Sequence, residues 1–308
     1  MRQGTFKYLR QFVFIGQKIV LPGFEGVPLY RVLLNFFKAL YDGALTARAS
    51  AMAFSFFLAL FPGIIFIFSL IPFLPIENVD GFILEQLEAL LPKSAFELSK
   101  ETIIDLANNQ RGSLLSFGFL MMLLFTSNGI NTMLEMFNHS VHTKEKRSFL
   151  NQWLVAIVLM LILLLLLIFS SILIVFYQVI VDYTIDLIKL KDEWLISLIE
   201  LGRWLITFAF VYFSISFIYF LGPIGRTKWK FFSLGSTVAT LLVILFSLGF
   251  AFYVNHFGTY NKFYGSIGTL MVIMLWIYFN SLVLLFGFEL NASLARTKRR
   301  KIRNYLKA

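Results

Sequence analysis

The chain lacks cysteine altogether and is poor in charged residues. The absence of cysteine excludes a disulfide framework and thiolate metal sites. Charged side chains make up 14% of the sequence, against roughly 25% in soluble domains. Hydrophobic residues reach 58% and include 37 Phe. These Phe are too many for a soluble core of this length, whereas lipid-facing helix surfaces can carry them. The composition therefore predicts an integral membrane protein.

Residues that commonly perform catalysis are scarce as well. The histidines are His139, His142 and His256, and metal-dependent hydrolysis needs three or more converging ligands. The sequence has no glycine-rich phosphate loop and no nucleophile elbow. We therefore predict no enzymatic activity and no cofactor. No secretory signal peptide is expected, because the first long apolar run begins near Ala49, behind a basic leader.

Six apolar runs come close to the ~20 residues that an α-helix needs to cross a hydrocarbon core of ~30 Å. They lie at about 49–76, 114–134, 152–181, 204–221, 231–256 and 264–288. The predicted fold class is all-α, a polytopic membrane protein with six transmembrane helices. Its expected parts are a cytoplasmic or interfacial leader (1–48), a transmembrane domain (49–295) and a basic cytoplasmic tail (296–308).

The distribution of basic residues predicts the orientation. If the N-terminus is cytoplasmic, the segments 1–48, 135–151, 222–230 and 296–308 are inside and hold 20 Lys and Arg, against 7 outside. Lys and Arg are enriched in cytoplasmic loops, so we predict that both termini are cytoplasmic. The same sorting accounts for the net charge of +10 by attraction to anionic lipids. We therefore expect membrane lipids as partners and no nucleic acid.

Two segments outside the predicted spans show helical patterns. The leader is predicted to form two amphipathic helices, and in the second Arg31, Asn35, Lys38 and Asp42 form one polar face. This indicates an amphipathic helix that lies on the membrane surface or packs on the cytoplasmic face of the protein. Between spans one and two, Ser94 and Glu97 form a capping box. Two short external helices are expected within 77–113.

Several predicted spans carry polar or small residues. Ala47, Ala51, Ser55 and Ala59 recur every four residues and predict a close packing face on span one. Polar side chains at membrane depth usually face a protein interior or a wet cavity. The candidate polar cavity comprises Ser55, Asn128, Asn131, Glu135, Asn280, Glu289 and Asn291. Two interpretations stay open: these residues line a functional cavity, or they only hold helices together.

Several short blocks resemble the YihY/BrkB family of bacterial inner-membrane proteins. The blocks are Ala49-Ser50-Ala51-Met52-Ala53-Phe54, Leu60-Phe61-Pro62, Ser127-Asn128-Gly129, Phe137-Asn138, Tyr264-Gly265-Ser266-Ile267-Gly268, Leu275-Trp276-Ile277-Tyr278 and Gly287-Phe288-Glu289-Leu290-Asn291-Ala292. Phe54 stands where the family often has a tyrosine. The resemblance implies a six-helix protein of the bacterial cytoplasmic membrane. Members once carried a ribonuclease BN label, and proposals for the family favour transport of lipids or envelope precursors.

These observations favour a membrane protein that transports or accommodates a lipid-like or amphipathic envelope molecule. The alternative is a structural or assembly protein whose polar residues only join helices. Ribonuclease activity is not expected, because the sequence offers no nuclease chemistry.

Overall fold

The structure is a computed structural model. It describes residues 44–73, 104–105, 109–141, 147–188, 193–224, 230–257 and 266–305, with isolated positions between 28 and 41. These residues form an all-α fold that contains no strand in the described ranges. The helices are α1 (Leu45–Leu70), α2 (Gly112–Val141), α3 (Phe149–Ile188), α4 (Glu193–Leu221), α5 (Leu234–Phe257) and α6 (Ser266–Tyr305), with a short 3₁₀ turn at Ile71–Phe73.

Each of the six helices is long and apolar enough to cross a membrane, by length and composition. Apolar runs adopt helices in lipid because a helix satisfies its backbone hydrogen bonds internally. The prediction of a six-helix membrane protein is thus confirmed. Several helices are longer than the predicted spans: α4 begins at Glu193 rather than near 204, and α6 continues past 288 to Tyr305. A helix need not end where the hydrocarbon ends, because its hydrogen bonding does not depend on lipid.

Most of the predicted surface elements lie outside the described residues. This holds for the external helices with Ser94 and Glu97, and for most of the leader. In the leader, Phe36 is 3% exposed and its ring meets Phe286 of α6 edge-on, with ring centroids 4.6 Å apart. Phe37 and Tyr41 are exposed. Phe36 therefore packs against α6 of the same chain.

The chain divides into two compact units, and the boundaries fall at the start of α1 and within α2, α5 and α6. Unit 1 comprises Met1–Leu45, Leu134–Ile244 and Val283–Ala308. Unit 2 comprises Thr46–Met133 and Leu245–Leu282. In unit 1, α3 and α4 pack side by side, and an aromatic cluster forms the centre. The ring of Phe137 stacks on Phe288 at 4.3 Å, and Tyr219 meets both rings edge-on.

In unit 2, α1 packs on the first two-thirds of α2 through glycines of α2. A Cβ at Gly118 would lie 3.3 Å from the backbone nitrogen of Phe66, and one at Gly129 would lie 3.0 Å from the ring of Phe56. The buried face of α1 holds Arg48, Ala49, Met52 and Ala53. Of the predicted packing face, Ser55 contacts Thr132 of α2, whereas Ala47 is exposed and Ala51 and Ala59 are half-buried. Close approach comes from the glycines of α2.

Candidate functional site

Helix α2 presents one outward face along its length. Its exposed members are Phe117, Leu120, Leu124, Asn128, Glu135 and His139. They recur three, four or seven residues apart and so share one side of the helix. Asn131 and Thr132 are half-buried on the same side. The first part of this face is apolar and the remainder is polar. We refer to Asn128, Asn131, Thr132, Glu135 and His139 as the polar stripe.

The opposite face of α2 is buried and largely apolar. It includes Ile130, Met133, Leu134 and Phe137, each 3% exposed or less. A lipid-facing helix would normally turn its apolar residues outward and its polar ones toward protein. From Asn128 onward, α2 has the reverse arrangement.

In unit 2, the hydroxyl of Thr132 connects α2 to α1. Thr132 Oγ1 donates to the carbonyl of Asn128 at 3.0 Å and lies 3.1 Å from Ser55 Oγ. Because Thr132 has one hydroxyl proton, Ser55 is the donor when Thr132 bonds its own helix. Asn131 Oδ1 is buried and accepts no hydrogen bond from any described residue. An amide oxygen in this position retains its capacity to accept a donor.

In unit 1, Glu135 is the charged member of the polar stripe. Its carboxylate accepts from Gln152 Nε2 of α3 at 3.5 Å, at the long limit of a hydrogen bond. Among the described residues, no cation forms an ion pair with Glu135, whereas Arg111 pairs with Asp105 and Arg296 pairs with Glu289.

Glu289 lies in a very different environment within unit 1. It is 1% exposed, and its Oε1 pairs with Arg296 Nη2 two turns further along α6. Arg296 also donates to the hydroxyl of Ser293 at 3.0 Å and to the carbonyl of Ser140, near the end of α2, at 3.2 Å. The buried acid thus holds an arginine that satisfies an orphan carbonyl of another helix.

Asn291 performs a similar structural task at the start of α5. Its Oδ1 accepts the backbone N–H of Gly235 at 2.7 Å, and its Nδ2 donates to Ser233 Oγ at 2.8 Å. The amide therefore satisfies one of the free N–H groups of a helix N-terminus. Asn280, in unit 2, donates to the carbonyl of Trp276 in its own helix at 2.8 Å.

The sequence did not single out the residues that close the end of α4. Arg147 donates to the carbonyls of Leu221, Gly222 and Pro223 at 3.1–3.3 Å. Burial lowers the pKa of the Arg147 guanidinium below its ordinary value, yet arginine stays protonated. Asn138 Oδ1 accepts the N–H of Ile224 at 3.0 Å. In the sequence, Phe137-Asn138 is distinguished only as a block of the family resemblance, and Arg147 only as one of the basic residues in the predicted cytoplasmic segment 135–151.

A glycine contact between α5 and α6 was also missed. A Cβ on Gly235 would lie 2.2 Å from the carbonyl oxygen of Gly287, and one on Gly287 would lie 2.6 Å from Ala239 Cβ. The two backbones therefore meet directly. Gly235 and Ala239 are one turn apart, and this small-residue spacing in an apolar run was the available signal.

Comparison with known proteins identifies the family. The family model described as Virulence factor BrkB matches residues 36–307. The chain belongs to the BrkB family. It is also similar to a ribonuclease-like protein, YfkH, of Bacillus subtilis (strain 168), with 32% identity over 253 residues, or 82% of this chain and 91% of that protein. No solved structure matches the chain.

In this BrkB-family protein the predicted site residues fall into two groups. Glu289 and Asn291 are buried in unit 1. Asn291 bonds to the start of α5, and Glu289 pairs with Arg296, which bonds to a carbonyl near the end of α2. Asn128, Asn131 and Glu135 lie on the outward face of α2, and Ser55 bonds to Thr132 beside it. Asn280 bonds to its own helix. The polar stripe is therefore the candidate site for a ligand, and the α6 residues are candidates for structural roles.

Proposed function

We propose that this BrkB-family protein is a non-enzymatic protein of the bacterial cytoplasmic membrane that accommodates and moves a lipid-like or amphipathic molecule. The polar part of that molecule would follow the polar stripe while its chains stay in the bilayer. The observation that carries this proposal is the exposed amide of Asn128, near the middle of the apolar span Gly112–Ser140.

Lipid chains cannot hydrogen-bond an amide, and an unsatisfied polar group in hydrocarbon costs several kcal/mol. The side chain of Asn128 makes no hydrogen bond to a described residue; its backbone carbonyl accepts from Thr132. Water or the headgroup of an amphipathic molecule would supply the missing partners. Polar groups at membrane depth are tolerated where they have a functional contact.

The length of the polar stripe fits this role. Asn128 and His139 are eleven residues apart, which corresponds to ~16 Å at ~1.5 Å per residue. That is about half of a hydrocarbon core of ~30 Å. The stripe would let a headgroup pass between one membrane surface and the bilayer centre. Since most Lys and Arg flank the predicted cytoplasmic ends of the spans, that surface would be the cytoplasmic one.

The second candidate function is structural, and the buried α6 residues favour it. Asn291 binds the start of α5, and Glu289 pairs with Arg296, which binds a carbonyl near the end of α2, as expected of residues that only hold helices together. The two functions differ in what they require of the polar stripe. A structural protein does not need an exposed amide at mid-membrane.

Reconstitution into liposomes that contain tail-labelled fluorescent phospholipids tests the proposal. If the protein moves lipids between leaflets, dithionite will quench the inner-leaflet label faster than in protein-free vesicles. Replacing Asn128 with Leu and Thr132 with Val should slow this phase by about tenfold, equivalent to about 1.4 kcal/mol in the barrier.

Thr207→Val is the matched control. Thr207 lies in α4, where its hydroxyl donates to the carbonyl of Arg203 at 3.0 Å, so its loss should leave the rate unchanged. Each variant should keep the wild-type unfolding temperature within a few degrees. If wild-type protein gives no faster quenching and retains no lipid in native mass spectrometry, the structural function stands instead.

A further inference from the structure

We propose that the leader binds the surface of the cytoplasmic leaflet and inserts one apolar face of a helix among its anionic lipids. The described leader positions 30, 34, 36, 37 and 41 are helical, and we refer to this segment as the leader helix. The interaction is separate from the proposed function, because it involves the leader of unit 1 and not the polar stripe of α2.

One face of the leader helix is apolar and largely exposed. Leu34, Phe37 and Tyr41 are 49%, 62% and 91% exposed, and Tyr30 is half-buried. These four residues follow one another at intervals of four, three and four, so they share one side of the helix. We refer to them as the leader stripe. Contiguous exposed apolar surface of this kind marks a site of contact with a protein or a membrane.

Another side of the leader helix is fixed to unit 1 by Phe36. This side chain is 3% exposed and forms a buried cluster with Leu290 of α6. Partly buried side chains of α5 and α6 pack against the cluster, namely Leu234, Val238, Phe286 and Leu294. The contact places the leader helix against the start of α5 and the second half of α6.

The Phe36 cluster lies where α5 and α6 reach the membrane surface. The spans predicted for these helices begin at 231 and end at 288, within one turn of Leu234 and Leu290. The distribution of Lys and Arg predicts that this surface is the cytoplasmic one. A helix packed at this level lies beside the lipid headgroups, which is the position of an amphipathic helix in the membrane interface.

The chemistry of the leader fits this surface. Successive residues are about 100° apart around a helix, so the leader stripe, Phe36 and the polar face predicted from the sequence occupy three different sides. They would meet lipid, protein and water respectively. Tyrosine is enriched at membrane interfaces, where its amphipathic ring sits at headgroup level. Residues 1–43 also hold six Lys and Arg against two acids, and such a basic segment is attracted to anionic phospholipids.

Site-directed spin labelling tests the insertion, because the chain has no cysteine and an introduced one is the sole labelling site. Leu34→Cys and Tyr41→Cys variants of the full chain are labelled and reconstituted into vesicles of phosphatidylcholine and phosphatidylglycerol. Accessibility to oxygen and to a water-soluble nickel chelate should place both labels about 5–10 Å below the headgroup surface. In vesicles of phosphatidylcholine alone, both labels should lie closer to water.

Two further labels calibrate the measurement. Gln110→Cys lies at an exposed position outside the six spans and should favour nickel. Leu165→Cys is 66% exposed near the middle of the span Phe149–Tyr177 and should favour oxygen. Adding Leu34→Glu to the Tyr41 label should raise its access to nickel, whereas the apolar control Leu34→Met should not.

The other outcomes would each contradict the proposal. Nickel access equal to that at Gln110 would show that the leader stripe faces water. Protection of both labels from oxygen and nickel alike would show that protein covers the stripe. An equal depth in phosphatidylcholine alone would overturn the preference for anionic lipid. Because Leu34 and Tyr41 are exposed, the variants should keep the wild-type unfolding temperature.

Discussion

Glu135 and Glu289 show how differently two acidic side chains in apolar helices can be placed. Glu135 lies on an outward face with a weak amide contact, whereas Glu289 is 1% exposed and paired with Arg296. An isolated carboxylate in a low-dielectric interior is very costly, so a buried one needs a cation and further hydrogen bonds. The environment of Glu289 therefore indicates a structural role.

The loss of Arg296 should destabilise the protein strongly. Arg296→Ala removes the ion pair with the buried carboxylate of Glu289, and breaking a buried pair in this way typically costs about 3–5 kcal/mol. Thermal unfolding in detergent would measure the change. Arg111→Ala is the control, because the pair of Arg111 with Asp105 is 50% and 41% exposed and such pairs contribute about 0–1 kcal/mol. Equal shifts of the two unfolding temperatures would show that the buried pair does not stabilise the fold.

The sequence predicted that Glu289 needs a partner but did not identify Arg296. The two residues are seven positions apart, which is about two helical turns. They face each other only if the helix continues beyond Glu289, and the predicted span ended at 288. Arg296 therefore looked like the first charge of a basic tail. Because α6 is continuous over Ser266–Tyr305, Arg296 lies on the same helix as Glu289 and pairs with it. A residue that the sequence marks only as a sign of membrane orientation is therefore also a structural contact.

Along the helices, the direct approach of α5 and α6 depends on the absence of two side chains. A Cβ on Gly235 would lie 2.2 Å from the carbonyl oxygen of Gly287, well inside any van der Waals contact. Backbone atoms cannot move aside as the end of a flexible side chain can. The neighbouring hydrogen bond from Gly235 N–H to Asn291 would be strained by any separation of the two helices.

Gly235→Ala should therefore lower the free energy of unfolding by about 1–3 kcal/mol, the usual cost of overpacking. Gly249→Ala, on the same helix, is the matched control. A Cβ there meets nothing within 4 Å, so alanine should be neutral or should stabilise the helix by about 0.5–1 kcal/mol. Unfolding temperatures of the two purified variants test this difference. A Gly235 variant as stable as the Gly249 variant would contradict direct backbone contact.

The existence of the helices was predictable, but their ends and neighbours were not. Long apolar runs identify spanning segments because lipid excludes charge and unpaired backbone groups. The ends depend on caps formed by distant residues, such as Arg147 at the end of α4 and Asn291 at the start of α5. Those contacts join residues 56 or more positions apart, and no periodicity in the sequence reports them.

At the scale of the whole molecule, the predicted polar residues are divided between the two compact units. Ser55, Asn128, Asn131 and Asn280 belong to unit 2, and Glu135, Glu289 and Asn291 belong to unit 1. Helical spacing correctly placed Asn128, Asn131 and Glu135 on one side of α2. It could not show that this side faces outward, since periodicity gives the position of a face and not what covers it.

The orientation of the spans is the last prediction, and it rests on charge. Lys and Arg number 20 in the segments predicted to be cytoplasmic and 7 in those predicted to be external, whereas the acids are concentrated outside. Transferring a cluster of Lys and Arg across the membrane is unfavourable, so such clusters stay in the cytoplasm. We expect reporter fusions after Ala308 and within 222–230 to be cytoplasmic, and a fusion near Glu97 to be external.

Alkaline phosphatase and green fluorescent protein are suitable paired reporters, because the first is active outside the cytoplasm and the second inside it. Each fusion site then gives one positive signal and one negative signal, which controls for expression. An external reading after Ala308 would overturn the even number of spans. An external reading at Arg226 with a cytoplasmic Ala308 would instead show that the orientation predicted for α4 and α5 is wrong. It would also remove the argument that the polar stripe opens toward the cytoplasmic leaflet, because that argument takes its direction from the same charges.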